Sequence, residues 1–209
     1  MVRMSNWKPR SVQCSDSVWQ WTDAGDRCQQ MSADPIIVEY DPAWPQAYDS
    51  LAEVLAPALG SLARSVHHVG STAIPGMPAK PVLDIDIELA PDATVPAASG
   101  ALAQLGYECQ GNRGIQGRYA YRRVSPAVPF SQGRAVWPSH HLYVCPHGSA
   151  ELARHLLFRN RLRACPALLR EYAELKYQAL RRADGVRQVY VDEKARLAEP
   201  FFRKVLGLP

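Results

Sequence analysis

The 209-residue chain has no apolar run of about 18 residues, the length a membrane-crossing helix requires. Its N-terminus has no basic stretch followed by an apolar one, the pattern of a secretory signal. The expectation from these absences is a cytoplasmic protein. Cysteine is sparse: Cys14, Cys28, Cys109, Cys145 and Cys165. No two make a Cys-x-x-Cys pair and their number is odd, which argues against a disulfide framework or zinc knuckle and for reduced thiols, some of them in the core. An excess of one charge is also missing. Twenty-four Lys/Arg against 20 Asp/Glu leave a formal charge of +4, and no RNA-binding motif is present, so an RNA-directed role ranks last.

The charge is unevenly placed. Residues 149–209 hold 13 Lys/Arg and 7 Asp/Glu, whereas residues 31–148 hold 7 and 10. An acidic site facing a basic C-terminal part suits a metal-bound polyphosphate; helices carrying solvated cations give the same numbers. Residues 1–30 show neither helical nor strand period and carry Trp7, Trp19 and Trp21. They are expected to be a poorly ordered extension, or to dock a tryptophan on the domain or a partner.

From residue 31 onward the patterns are regular. "IIVEY" (36–40) reads as a strand ended by Asp41-Pro42. Trp44, Tyr48, Leu51, Leu55 and Leu59 recur at helical spacing, with Pro45 near the start, Pro57 distorting the last turn and Gly60 past the end. "SVHHV" (65–69), "VLDIDIEL" (82–89), "GRYAYRRV" (117–124) and "HHLYV" (140–144) read as strands, and residues 97–107 as a helix broken near Gly106. Ser149 can cap a helix from residue 150 to about 163, Pro166 starts another, and a last one runs from about 188 to 205 with an interruption at Pro200. The fold class expected is α+β: a mixed β-sheet flanked by helices, with a helical part over residues 149–209.

The chemistry gathers in "HHVGSTAIPGMPAKPVLDIDIEL" (67–89). Residues i and i+2 of a strand share a face, so Asp84 and Asp86 project together about 7 Å apart, while Leu83, Ile85, Ile87 and Leu89 face the core. Two neighbouring carboxylates repel, and a hard divalent cation such as Mg²⁺ relieves that; exposed carboxylates or ion pairs to arginine are the plainer alternative. Gly70 permits a backbone other residues resist, and the Ser71 and Thr72 hydroxyls can face phosphate oxygens, although most Gly-Ser pairs are plain turns. Lys80 lies between Pro78 and Pro81, four residues before Asp84. His67 and His68, adjacent on a strand, point opposite ways and cannot chelate one ion together.

Gly-Ser, twelve residues, then Asp-x-Asp on a second strand resembles the signature of the nucleotidyltransferase superfamily. The longer string resembles the GrpB family within it. So do "VEYDPAWPQAY", "HHLYV", "HLLFRNRLRACPALLREYAELK" and "VYVDEKARL", which together cover residue 31 to the end. The resemblance implies a GrpB-like nucleotidyltransferase fold over 31–209. It assigns Gly70, Ser71 and Thr72 to phosphate binding, flanked by His68, and Asp84 and Asp86 to Mg²⁺, with two ions possible. Arg159, Arg163 and Lys176 look like basic positions for a polyphosphate; ion pairs with Glu171, Glu174 or the aspartates are as plausible for any one of them. Tyr190 and Lys194, also four apart, carry the same ambiguity.

The pattern departs where a third carboxylate is expected. "HHLYV" has none, so His141 stands in that place and can ligate a metal or accept a proton. Tyr143 replaces a second histidine and can bond a phosphate or stack on a base, and Glu88 continues the aspartate face. The leading expectation is Mg²⁺-dependent transfer of a nucleotidyl group from a nucleoside triphosphate or related polyphosphate to a small acceptor. The alternative is a non-catalytic nucleotide- or protein-binding module, as in the related domain fused to dephospho-CoA kinase.

Overall fold

A computed structural model describes residues 35–207; residues 1–30, expected to form an extension, lie outside the described residues. Five strands form one mixed sheet in the order β1-β2-β5-β4-β3, where β1 is Ala63–Val69, β2 Leu83–Leu89, β3 Tyr107–Cys109, β4 Tyr119–Arg123 and β5 His140–Cys145. Only β2 and β5 run parallel; the other neighbours are antiparallel. Five helices complete the architecture: α1 Trp44–Leu59, α2 Val95–Gln104, α3 Ala150–Ala164, α4 Pro166–Ala183 and α5 Arg187–Leu206. The fold is α+β with a helical C-terminal part.

Strand alternation sorts the sheet into two chemically different faces. Leu83, Ile85, Ile87 and Leu89 of β2 join Leu142 and Val144 of β5 in the main core, covered by Leu51 and Leu55 of α1 and Leu102 of α2. Asp84, Asp86 and Glu88 alternate with them and take the opposite face. There the cover is α3 to α5. A second apolar cluster joins Leu162, Tyr172, Phe201 and Val205 of these helices to Ile74 and Met77 of the segment linking β1 to β2. The linking turn is thus anchored in the helices.

Three expectations need correction. Residues 36–40 make no strand: Val38 forms an isolated bridge to Ala79, and Ile36 and Ile37 pack on Ala179, Ala183 and Tyr190 of the helical part. Pro200 does not interrupt α5. The helix expected over residues 97–107 does break near Gly106, at φ 89°, but it ends at Gln104 and Tyr107 opens a short strand, β3.

Two histidines serve the core. His68 is buried, stacks on Tyr48 of α1 at 4.8 Å and bonds the Thr72 hydroxyl at 3.0 Å. His140 is buried and meets the Tyr107 hydroxyl at 2.6 Å. Burial pushes the pKa of each from 6.5 down to about 4. The unfolded chain binds both protons near pH 6.5, so it is favoured increasingly as pH falls through the window from 6.5 to about 4. The urea midpoint should drop across this window, and His140→Gln should flatten the drop. An unchanged slope in that variant would contradict a neutral imidazole at this position.

Candidate functional site

Register sets out the site. On the polar face Asp84 lies between Val69 of β1 and His141 of β5, and Asp86 between His67 and Tyr143. His141 Nδ1 lies 2.9 Å from Asp84 Oδ1, and its side chain is 59% exposed. The imidazole therefore occupies the neighbouring-strand place expected for it, in contact with the aspartate. Asp86 is fully buried. One oxygen, Oδ2, meets His155 Nδ1 of α3 at 2.6 Å; the other, Oδ1, has no hydrogen-bond partner. A buried carboxylate oxygen without a partner is costly, and a positive ligand or water would satisfy it.

His155 was not singled out from the sequence. Its other nitrogen lies 3.4 Å from Glu151 Oε1. Burial opposes its protonation, but the Asp86 hydrogen bond and the charges of Asp86 and Glu151 outweigh that and raise its pKa. Sixty-nine residues separate His155 from Asp86, so no local spacing could have revealed the pair. Glu88, a possible third acid, is engaged at the far end of the strand, where it accepts from Ser65 at 3.1 Å and lies 3.3 Å from His147 Nδ1.

The Gly-Ser turn abuts this acidic face. Gly70 has φ 70° and ψ −168°, a region almost confined to glycine, and a Cβ there would lie 2.2 Å from Asp84 Oδ2. The turn is close enough to the carboxylate that no side chain fits between them. A 3-10 turn, Ser71–Ala73, follows. Thr72 is buried with its hydroxyl on His68, and with Ser71 and Lys80 it lines a small cavity; His68 itself lies on the α1 side of the sheet, stacked on Tyr48.

The helices hold the turn by its polar atoms. Lys176 of α4 is 2% exposed; its Nζ donates to Ser71 Oγ and to the Pro78 carbonyl, each at 2.6 Å. Burial and the charge of Lys194 lower its pKa from 10.5 to about 7, against the pull of Asp84. Arg159 donates to the His68 carbonyl at 2.8 Å, and Arg163 to the Ala73 carbonyl at 2.8 Å. These two arginines were expected at the polyphosphate. Instead they bracket the turn and line a separate cavity of about 270 Å³ with Tyr48, His67 and His68.

Two cavities meet at Ser71, Asp84 and Lys194. The smaller, about 200 Å³, is lined by Lys80, Lys176, Lys194 and His141. Among the described residues none of these lysines has a carboxylate within ion-pair distance. The larger, about 480 Å³, adds Arg118, Tyr143, Arg154 and His155, with Phe158, Tyr172 and Phe202 as an aromatic side. The Arg118 guanidinium lies 4.4 Å from the Tyr143 ring centre. Of the residues named from the sequence, Gly70, Ser71, Thr72, Lys80, Asp84, His141, Tyr143 and Lys176 line one or both cavities; Asp86 lies fully buried next to Asp84's face, and His68, Arg159 and Arg163 support the turn from behind. Arg118 and Lys194 complete the lining.

The profile of the family described as GrpB protein matches residues 34–206. The chain belongs to the GrpB family. Its fold is similar to that of the conserved protein GrpB from Enterococcus faecalis, solved by crystallography, with a TM-score of 0.65 and 28% identity over 82% of this chain and 94% of that one. UPF0157 protein PA4798 of Pseudomonas aeruginosa is 36% identical over 84% of this chain and 66% of its own length. UPF0157 protein YqkA of Bacillus subtilis is 33% identical over 76% of this chain and 43% of its own. A dephospho-CoA kinase of Mycobacterium tuberculosis is 32% identical over 79% of this chain, and the match takes in 44% of the kinase. The chain thus spans between about two fifths and two thirds of these last three proteins.

Gly70→Ala should lower unfolding free energy by about 1–3 kcal/mol through backbone strain alone, before the contact with Asp84 is counted. Gly100→Ala, inside α2 where a Cβ meets nothing within 4 Å, should be neutral or stabilising. Urea denaturation of the pair checks this. Equal effects would mean that Gly70 is not held against Asp84.

Proposed function

We propose that this GrpB protein binds a nucleotide or related polyphosphate together with Mg²⁺ and transfers a nucleotidyl group to a small acceptor. One observation carries the reading: beside the Gly70–Ser71 turn, Asp84 lines a cavity with three lysines that have no carboxylate partners among the described residues, and Asp86 lies buried behind it on the same face of the strand. Unpaired cations in a concave site suit an anionic ligand, and the adjoining carboxylates suit a hard cation travelling with it.

The donor set fits Mg²⁺ only as a shared ion. The free Asp86 oxygen and the Asp84 carboxylate are suitable hard donors. No group of three or more His, Cys, Asp or Glu side chains among the described residues is arranged to hold a metal by itself. Phosphate oxygens and water would complete the shell, as is usual for this ion. Bound there, Mg²⁺ would supply charge neutralisation at the phosphates and polarise the transferring group. Lys80 and Lys194 offset charge at the far phosphates, and Ser71 offers its hydroxyl to the nearer ones. Tyr143 and the aromatic side of the larger cavity give a planar group a surface to stack on. His141, hydrogen-bonded to Asp84 and exposed to the cleft, can accept the proton of an acceptor hydroxyl.

A second reading, a binding module without turnover, draws on the same strand: β5 offers His141 and Tyr143 where a third carboxylate would support a second ion. A thermal-shift panel of nucleoside triphosphates and CoA-related compounds, with and without Mg²⁺, separates the two. Mg²⁺-dependent stabilisation by about 2.7 kcal/mol is expected at a hundredfold excess over Kd. Asp84→Asn with Asp86→Asn should abolish that stabilisation and any release of pyrophosphate. Ligand binding that survives the double variant would misplace the site. Stabilisation without pyrophosphate release, across a panel of acceptors, would favour the module.

A further inference from the structure

Ser71 stands between the two cavities with a buried lysine directly behind it. The phosphate reading asks only that its hydroxyl be a hydrogen-bonding group. The surroundings of Ser71 are richer than that. Lys176 Nζ sits 2.6 Å from Ser71 Oγ, fixed from the other side by the Pro78 carbonyl at 2.6 Å. Tyr172, one helical turn earlier on α4, places its ring 4.9 Å from the same Nζ and lines the larger cavity beside Ser71. Ser71 is partly exposed and lines both cavities, whereas Lys176 is almost wholly buried.

We propose that Ser71, Lys176 and Tyr172 form a nucleophile–base constellation that attacks the acyl group of an ester or thioester bearing an anionic tail. As an ammonium, Lys176 donates to both oxygens. As a neutral amine it keeps one donation to Pro78 and turns its lone pair to the Ser71 O–H. Its environment brings amine and ammonium to comparable amounts near neutral pH: burial comes first, then repulsion from Lys194 of α5, with Asp84 of β2 opposing. Lys80 and His141 face it across the smaller cavity. Burial holds the Tyr172 phenol neutral, so it remains a proton donor.

In the step, Ser71 Oγ bonds to the carbonyl carbon while its proton passes to Lys176 Nζ. The ester C–O or thioester C–S bond then breaks, and the leaving oxygen or sulfur takes a proton from Lys176, directly or through the Tyr172 hydroxyl. Water releases the acyl group in the reverse sense. Lys194 and Arg118 suit the anionic tail, and Phe158 and Phe202 the apolar part. None of this requires a nucleotide.

The test is covalent labelling of the full chain with a fluorophosphonate, in which Ser71 displaces fluoride from phosphorus. Peptide mass spectrometry across pH 6–9 should find one adduct, on Ser71, with a rate that rises through a midpoint near 7. Lys176→Arg, which keeps the charge but is no base at these pH values, should slow labelling by about 10²-fold or more. Tyr172→Phe should slow it with little change in melting temperature. The wild-type pH profile needs no variant and stands even if Lys176→Arg fails to fold. Absence of a Ser71 adduct over the whole pH range, a pH-independent rate, or undiminished labelling in folded Lys176→Arg overturns the proposal. Nucleotide thermal shifts on the same sample report separately, so failure of the phosphate reading leaves this result intact, and the converse.

Discussion

A lysine held out of water ties the two layers of this protein together. Lys176 leaves α4, crosses to the β1–β2 link and bonds both Ser71 and Pro78. Arg159 and Arg163 do the same from α3, at the His68 and Ala73 carbonyls. Between them the three cations fix the backbone on either side of Gly70, and Gly70 in turn lies against Asp84. Everything the site can do follows from that arrangement. Remove the cations and the carbonyls of a partly buried turn lose partners, at a cost of about 1–3 kcal/mol for each group left unsatisfied. The basic character of residues 149–209 thus has a use that charge counting does not suggest: much of it near the site holds protein backbone, and the cations left over for a ligand are Lys80, Lys194 and Arg118.

The acidic face was legible because a strand has a period of two. Asp84 and Asp86 had to share a face once Leu83, Ile85 and Ile87 were assigned to the core, and β2 bears that out residue by residue. The adjacency of His141 to Asp84 was half legible: the alternation in "HHLYV" put His141 with Tyr143, while the parallel register that brings it to 2.9 Å came from the fold. His155 was hidden for another reason. Its partner is 69 residues away, and a lone histidine on an amphipathic helix has no pattern of its own. Ile36–Tyr40 misled in the opposite direction. Its β-branched run has strand propensity, but its side chains find their apolar partners on α4 and α5, so tertiary packing took the segment out of the sheet.

Membership of the GrpB family settles the fold and leaves the chemistry to this chain's own residues. The relatives matched range from a protein of which the match covers 94% to a dephospho-CoA kinase of which it covers 44%. What they share with it is therefore a unit that occurs both nearly alone and beside other sequence. In this chain, a carboxylate and lysines without carboxylate partners among the described residues share a cleft beside a glycine turn within that unit.

Ile74 and Met77 are fully buried, yet among the side chains of α3, α4 and α5 and not beneath the sheet. The glycine turn is in this sense a finger of the sheet gripped by the helical layer. Packing changes on the α1–α2 side reach the cleft through the strands, and through Tyr48 of α1 by way of His68 and Thr72. Packing changes at Leu162, Tyr172 or Phe201 reach it through the fingertip, with nothing between. The two apolar clusters are thereby placed under different constraint: the main core supports the cleft at one remove, while the cluster around Ile74 and Met77 must keep its shape because the position of a serine hydroxyl depends on it.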